Sequence, residues 1–362
     1  MKSEASPPGY YFRPGTGGGK SKWHIYLPHG GWCFSPDECL RRSRTASGSS
    51  TFFPAEPTNA NLSPDFKGIL SSNSSINPHF HNWNLVRLIY CDGGGYAGTA
   101  GRLDVGNGTA IYLDGWKIVQ AVIQDLKSTR GIRSADQILL VGSSAGGQAA
   151  VALCDRIAGA FPWAATKCVS DSGFFIDSKD REGGNTWRAK AQRLIDLHKP
   201  NWPACMHALP ETDHWKCFFP QYILRDVATP LFLFRAFFDI NANMLGGLLP
   251  NNQTYANDCL HEVSWAPMRM IKRKEWGRVE WKTNRCTAGE RHALFSAASV
   301  LHDELVRVIR TGNTVAAFVR PGMLHVALCY NWWTNVTIRG VSVESAIVQW
   351  LGNKMPKRFV HI

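Results

Sequence analysis

Gln137-Ile-Leu-Leu-Val-Gly-Ser-Ser-Ala-Gly-Gly-Gln-Ala-Ala150 is the stretch that decides how this chain folds. Ile138 to Val141 have the length and composition of a fully buried strand. Gly142-Ser143-Ser144-Ala145-Gly146 follows, a Gly-x-Ser-x-Gly pentapeptide, and then a helix-like run from Gln148 to Ala158. A strand, a tight turn and a helix in that order make the pentapeptide a nucleophile elbow rather than a loop of small residues. The turn forces Ser144 into a strained backbone, and side chains at positions 142 and 146 would collide with the neighbouring strand and helix. The Ser144 hydroxyl then stands clear at the end of the sheet. The Ala145 N–H points towards an oxyanion, at the positive end of the helix. Ser143, at the x position, should point into the structure.

Upstream, Lys22-Trp-His-Ile-Tyr-Leu27 reads as a short strand ending in Pro28-His29-Gly30-Gly31-Trp32-Cys33. A glycine pair after a strand and well before the nucleophile is where the other oxyanion donors are expected, from the N–H groups of Gly31 and Trp32. Cys33 and Cys39, six apart, could close a small disulfide ring behind it. Residues 43 to 75 are rich in Ser, Thr, Pro and Asn and read as a surface excursion. Asn84 to Tyr90 is a strand running into Cys91-Asp92-Gly93-Gly94-Gly95-Tyr96-Ala97-Gly98. This loop lacks the Gly-Lys-Ser/Thr ending of a P-loop and the spacing of a dinucleotide fingerprint, so it reads as a pocket wall. Asp92 and Gly93 in it, with Phe174 and Phe175 further on, are the candidate substrate-binding residues. Trp116, Val119, Ile123 and Leu126 repeat at helical spacing and give a crossover helix into the elbow strand.

Downstream, Thr166 to Asp171 is a further strand, and the polar, helical residues 178 to 226 read as a cap or side insertion. Pro230 to Phe238 is a strongly apolar strand that delivers Asp239 at its end, and a second variable region covers 241 to 288. Leu294, Ala298, Leu301, Leu305 and Ile309 form the apolar stripe of a long helix stopped by Gly312. Thr314 to Val319 is the last strand, followed by Pro321-Gly-Met-Leu-His325. The expected fold class is α/β, with a mostly parallel central sheet flanked by helices, as in the α/β-hydrolases. One domain is expected over 9–352, with insertions at about 43–75, 178–226 and 241–288.

In that fold the catalytic residues follow in the order Ser, Asp/Glu, His, each at a strand's carboxyl end. Ser144, Asp239 and His325 satisfy the order. Ser144 would attack an acyl carbon, His325 would shuttle the proton, and Asp239 would fix the imidazole tautomer. Asp171 and Asp177 are rival acids, but their strand directly follows the elbow helix, a less usual source. Among the 12 histidines, His302 falls in a regular helix and His361 is terminal, whereas His325 follows the last strand through a Pro-Gly turn.

With 362 residues, 44% hydrophobic and 19% charged, the chain is long enough to bury a substantial core. No apolar run reaches the roughly 18 residues of a membrane-spanning helix. The net charge of +12 favours acidic partners, but the basic residues are scattered, which argues against nucleic acid. Ten cysteines without zinc spacing point to disulfides and to no metal or other cofactor. Sequons at Asn61, Asn73, Asn107, Asn252 and Asn335 are compatible with secretion. Met1-Lys-Ser-Glu-Ala-Ser-Pro-Pro8 has no apolar signal segment, so the expectation is that a leader is missing from the sequence. A monomer is expected.

Several blocks, in order, carry a family resemblance: Gly9-Tyr-Tyr-Phe-Arg-Pro-Gly15, His29-Gly-Gly-Trp-Cys33, Asn77-Pro-His-Phe-His-Asn-Trp-Asn84, Tyr90-Cys-Asp-Gly93, Gly142-Ser-Ser-Ala-Gly-Gly147, Ser170-Asp-Ser-Gly-Phe-Phe-Ile-Asp177 and Phe238-Asp239. Over roughly 9 to 350 the chain resembles the pectin acetylesterase/Notum family of carboxylesterases, the plant-type pectin acetylesterases more than Notum. The family tends to have an acidic residue before the oxyanion glycines and a cysteine before the catalytic histidine. Here Pro28-His29 and Pro321-Gly-Met-Leu324 stand in those places. The resemblance implies an extracellular, disulfide-bonded serine esterase with Ser144, His325 and Asp239 as its triad. The leading expectation is hydrolysis of O-acetyl esters on an acidic polysaccharide such as pectin. The alternatives are a Notum-like removal of a fatty acyl group from a protein, and an inactive homologue that binds glycans.

Overall fold

The computed structural model describes residues 6–53, 66–250, 252, 259, 286–311, 315–354, 360 and 361. In chain order the strands are β1 (Tyr10–Arg13), β2 (Lys22–Leu27), β3 (Asn84–Leu88), β4 (Gly101–Asp104), β5 (Ala110–Leu113), β6 (Gln137–Ser143), β7 (Ala165–Asp171), β8 (Leu231–Phe238), β9 (Val315–Met323), β10 (Thr337–Ile338), β11 (Val341–Ser342) and β12 (Val360–His361). Eight of them form one sheet in the order β1-β3-β2-β6-β7-β8-β9-β12. Only β1 runs antiparallel to its neighbour; the rest pair in parallel.

Interior parallel strands are covered on both faces, so they read as unbroken apolar runs rather than alternating ones. Ile138, Leu139, Leu140 and Val141 of β6 are all fully buried, as are Leu231 and Phe232 of β8. Successive side chains still go to opposite faces. Ile138 and Leu140 join one apolar layer, with Val119, Val122 and Leu126 of the helix Gly115–Ser128 and Leu294, Leu301 and Leu305 of the helix Ala288–Thr311. Leu139 and Val141 join the other, with Phe232, Phe234 and Phe318 and the helix Val343–Leu351. The helix Gly115–Ser128 connects β3 to β6 and passes over β2, which lies between them. The expected α/β class with a mostly parallel sheet is the observed one.

Several elements differ from the expectation. The helix after the elbow starts at Ala145 and is broken at Leu153 into Ala145–Ala152 and Cys154–Ala160. The break falls where Cys154 is tied to Cys168 of β7 by a disulfide. The hairpin β4–β5 and the edge strand β1 are four-residue strands too short to show a period. The region expected as a surface excursion ends in core, because Phe66, Ile69 and Leu70 are buried. β9 is not the last strand, since β10, β11 and β12 follow it, and it runs on through Pro321 and Gly322, where a turn was expected.

Four disulfides are formed: Cys33–Cys39, Cys154–Cys168, Cys205–Cys217 and Cys259–Cys286. Asn73, Asn107, Asn252 and Asn335 are exposed. Asn61, Gly312 and most of 241–288 lie outside the described residues, as does the side chain of Ile309. Among the described residues no helix is long and apolar enough to cross a membrane.

Candidate active site

The carboxyl ends of β2, β6, β8 and β9 bring together the segments Pro28–Cys33, Ser144, Asp239 and His325. Ser144 follows β6 at φ 56° and ψ −118°, a conformation that a residue with a Cβ adopts only when its surroundings hold it there. They do so closely. A Cβ at position 142 would lie 1.9 Å from the Gly146 carbonyl oxygen, and one at 146 would lie 2.0 Å from that of Leu27. The Ser144 N–H donates to the Asp171 carbonyl at 2.7 Å, which pins the turn to β7.

A hydrogen-bonded chain runs from this serine. His325 Nε2 lies 2.9 Å from Ser144 Oγ, and His325 Nδ1 lies 2.8 Å from Asp239 Oδ2. Asp239 is fully buried, and its other oxygen accepts the Ala242 N–H at 2.9 Å, capping the helix Ile240–Leu245. Burial alone would raise the Asp239 pKa, but the charge and hydrogen bond of His325, with Arg235, hold it below the usual carboxylate value. For His325 the balance is reversed. Burial pulls the imidazole down, yet Asp239 by charge and hydrogen bond, with the more distant charge of Asp171, raises it against the opposing Arg235. An Asp–His–Ser chain of this kind can deprotonate a hydroxyl and stabilise the cation that results.

The rival acids lie elsewhere. Asp177 accepts from Arg188 Nη2 at 2.8 Å and from the Tyr222 hydroxyl at 2.9 Å. Asp171 is fully buried and accepts from the N–H groups of Ala327 and Leu328 and from the hydroxyls of Ser143 and Ser172. Burial pushes its pKa up, while the N–H groups of Leu328 and Ala327, the Ser143 hydroxyl and the charge of His325 oppose the rise. Asp171 thus grips the loop that carries His325 without bonding to the imidazole. Val326 shows why a grip is needed: its φ of 52° is an outlier for a β-branched residue, and its N–H is held by Ser172 Oγ at 3.0 Å. Ser143 does point inward, accepting the Tyr26 hydroxyl at 3.0 Å.

Three successive pulls shape the loop after β2. The carbonyls of Pro28, Gly30 and Gly31 accept, respectively, the Tyr96 hydroxyl at 2.8 Å, Arg42 Nη1 at 2.5 Å and the Tyr90 hydroxyl at 2.8 Å. Tyr90 and Tyr96 stack at 4.4 Å, and the Arg42 guanidinium covers Tyr90 at 4.6 Å. A trans peptide sets its N–H opposite its carbonyl, so the N–H groups of Gly31 and Trp32 face away from Arg42 and Tyr90. Neither finds an acceptor among the described residues. Ala145 opens its helix, so its N–H has no partner within that helix. The clamp of Arg42, Tyr90 and Tyr96 was not anticipated from the sequence. A tyrosine on each side of a glycine run was its only trace.

Asp92 is buried beside that clamp, where it accepts the Tyr96 N–H at 3.3 Å, and burial raises its pKa against the opposing influence of His198 and Arg42. Gly93 packs on the Cys33–Cys39 disulfide, with room for no Cβ beside Cys33 Sγ. Asp92, Arg42 and Cys91 line a cavity of about 320 Å³ whose wall includes none of Ser144, Asp239 and His325. Phe174 and Phe175 are buried, and the Phe175 ring meets the Trp32 ring edge-on at 5.0 Å. The unpaired thiols offer no rival nucleophile: burial pushes Cys91 up to about 11 and Cys329 up to about 12. Among the described residues the one grouping of metal-ligand type is Cys33, Cys39 and His198, and its two sulfurs are in a disulfide.

Known proteins resemble the chain over much of its length. "Pectin acetylesterase 5" of Arabidopsis thaliana is 37% identical over 237 residues, 65% of this chain and 53% of that protein. "Pectin acetylesterase 7" of the same plant is 31% identical, over 79% of this chain and 66% of that protein. The chain thus spans between about half and two thirds of the length of these two relatives. The "Palmitoleoyl-protein carboxylesterase NOTUM" of Mus musculus is 25% identical, over 96% of this chain and 62% of that protein. The crystal structure of the Wnt deacylase Notum from Drosophila superposes with a TM-score of 0.73 at 23% identity. It covers 98% of this chain and 90% of that one, and agrees with the fold described above. The profile of the family "Pectinacetylesterase" matches residues 3–362. The chain belongs to the pectinacetylesterase family.

Proposed function

We propose that the protein is a serine carboxylic ester hydrolase that removes acetyl groups from pectin or a related acidic cell-wall polysaccharide. The observation that carries the reading is the chain Ser144–His325–Asp239 at a strained strand-to-helix turn. Ser144 Oγ attacks the ester carbonyl while His325 Nε2 takes its proton. The tetrahedral oxyanion is held by the N–H groups of Gly31, Trp32 and Ala145. His325 then protonates the leaving sugar alkoxide, and water activated by the same imidazole releases acetate from the acyl-enzyme. Asp239 holds the imidazole in the tautomer that presents Nε2 to the serine. No cofactor enters these steps.

The close ring packing beside the oxyanion loop supports a short acyl group. The Trp32 ring is packed edge-on against Phe175, Phe218 and Trp187, with centroids 5.0, 5.1 and 6.0 Å away. A long acyl chain would gain about 0.8 kcal/mol for each methylene it buried, but only in a cavity open to receive it. Four disulfides and exposed sequon asparagines support an extracellular site of action.

Two measurements test the reading. With net charge +12, the protein should gather a polygalacturonate electrostatically. Attraction between exposed charges is screened within about 8 Å at physiological ionic strength. Rising salt should therefore increase KM on acetylated pectin and leave turnover of a small neutral acetyl ester nearly unchanged. Identical salt curves would remove the electrostatic argument for pectin. A strong preference for octanoyl or longer esters over acetyl would instead place the enzyme with fatty-acyl hydrolases.

The pH profile is the second measurement. His325 must be neutral to act as base, and its pKa is raised, so kcat/KM should climb with pH along a limb centred above the ordinary histidine value of about 6.5. Asp239 stays ionised throughout, because its own pKa is lowered. The limb should therefore have the slope of a single proton. A limb at or below the ordinary value would contradict the Asp239–His325 pairing.

A further inference from the structure

The loop that carries His325 continues through Val326-Ala-Leu-Cys-Tyr-Asn-Trp-Trp333, and its aromatic residues face two ways. Trp333 is fully buried, with Nε1 donating to the Ile76 carbonyl at 2.8 Å. Tyr330 and Trp332 are 40% and 41% exposed, with rings nearly parallel at 8° and centroids 5.3 Å apart. The other exposed aromatic rings among the described residues, Phe52, Tyr112 and Trp163, have no exposed ring stacked on them.

This ring pair is held rigidly. Asp171 grips Ala327 and Leu328, the Leu328 carbonyl accepts the Ile69 N–H at 2.8 Å, and Asn331 Oδ1 accepts the Gly68 N–H at 3.1 Å. Turn hydrogen bonds from the Tyr330 N–H to Ala327, from Trp333 to Tyr330 and from Asn335 to Trp332 close the loop on itself. Tyr330 and Trp332 follow His325 by five and seven residues, so even a fully extended chain would keep them within about 25 Å of it. Two flat rings fixed in water near a catalytic histidine lose little entropy on contact, which suits them to binding. Pyranose rings present flat faces of C–H groups with partial positive charge, which match the negative face of an aromatic ring.

We propose that Tyr330 and Trp332 are a stacking platform for sugar rings, a subsite that holds the polysaccharide chain while one of its esters lies at Ser144. This rests on the polysaccharide esterase reading above, and the test separates the two. In a Ser144→Ala background, which cannot turn over its ligand, acetylated oligogalacturonate is titrated calorimetrically in about 0.5 M salt, where charge attraction reaches only a few ångström. The double variant Tyr330→Ala/Trp332→Ala should bind about tenfold more weakly, a factor that corresponds to about 1.4 kcal/mol. Tyr330→Phe/Trp332→Phe should bind nearly as well as the parent. In the active enzyme the double alanine variant should raise KM on the polymer by a similar factor and leave a small acetyl ester unaffected.

Affinity unchanged by the double alanine change would overturn the platform, whatever the turnover, and so would a parent that does not bind the oligomer. Equal losses on polymer and small ester would also overturn it, because they would mean only that the His325 loop had shifted. Ring-dependent binding without hydrolysis of acetyl esters would uphold the platform and remove the acetylesterase reading.

Discussion

Ser144→Ala is expected to lower kcat on any ester by about 10⁶ and to leave the fold intact. Losing a serine nucleophile has that scale because the remaining groups cannot form an acyl-enzyme. The backbone should be unaffected. The strain at φ 56° comes from having any Cβ, which alanine keeps, and the only side-chain hydrogen bond lost is the one to His325. Ser143→Ala is the control. Its hydroxyl donates to Asp171 Oδ2 at 3.1 Å and accepts from Tyr26, all in a fully buried setting. Removing it should cost about 1–3 kcal/mol of stability by leaving buried groups underpaired, with most activity retained. Circular dichroism, melting and turnover of a small acetyl ester on both variants provide the check. Equal loss of activity in two folded variants would sink the assignment of the nucleophile.

That assignment was legible in the sequence for a physical reason. An elbow packs its strand and helix too closely for side chains, so it leaves a local signature of small residues at fixed spacing. The positions of Asp239 and His325 were legible by chain order, because each follows an apolar run long enough to be a strand. What sequence could not reveal depends on contacts made far along the chain. Asp171 read as one more acid after a strand, and its partners Ala327 and Leu328 lie 156 and 157 residues away. The strain at Val326 is equally silent, since a valine after a histidine gives no warning of a positive φ. The clamp of Arg42, Tyr90 and Tyr96 draws on three segments that become neighbours only when β2 and β3 pair. Asp92 and Gly93 read as substrate-binding because their glycine loop reads as a pocket wall. The structure uses those glycines to let His198, Leu113 and the Cys33 sulfur approach closely.

The distinction between Asp239 and Asp171 leads to the other large effect. Asp239→Asn should lower kcat by about 10⁴, because an amide can present an N–H to His325 Nδ1 and favour the tautomer in which Nε2 cannot take the Ser144 proton. The fold should tolerate the change, since asparagine caps a helix as well as aspartate does and can still accept from Ala242. The residual activity should also show a displaced pH profile. With the Asp239 charge gone, burial and Arg235 act on the imidazole against Asp171 alone, so the limb moves to lower pH. Asp171→Asn should give the opposite division of effects. Its carboxylate meets two N–H groups and two hydroxyls, and an amide would turn a donor towards some of them. The main result should be a lower melting temperature, with a smaller fall in kcat and a smaller downward shift of the same limb. Asp171 acts on His325 through the loop and through charge at a distance, whereas Asp239 bonds to the ring. Measuring kcat/KM against pH and thermal stability on both variants separates them. If Asp171→Asn lost about 10⁴ in kcat while Asp239→Asn stayed near the parent, the acid of the triad would belong to β7 and not to β8.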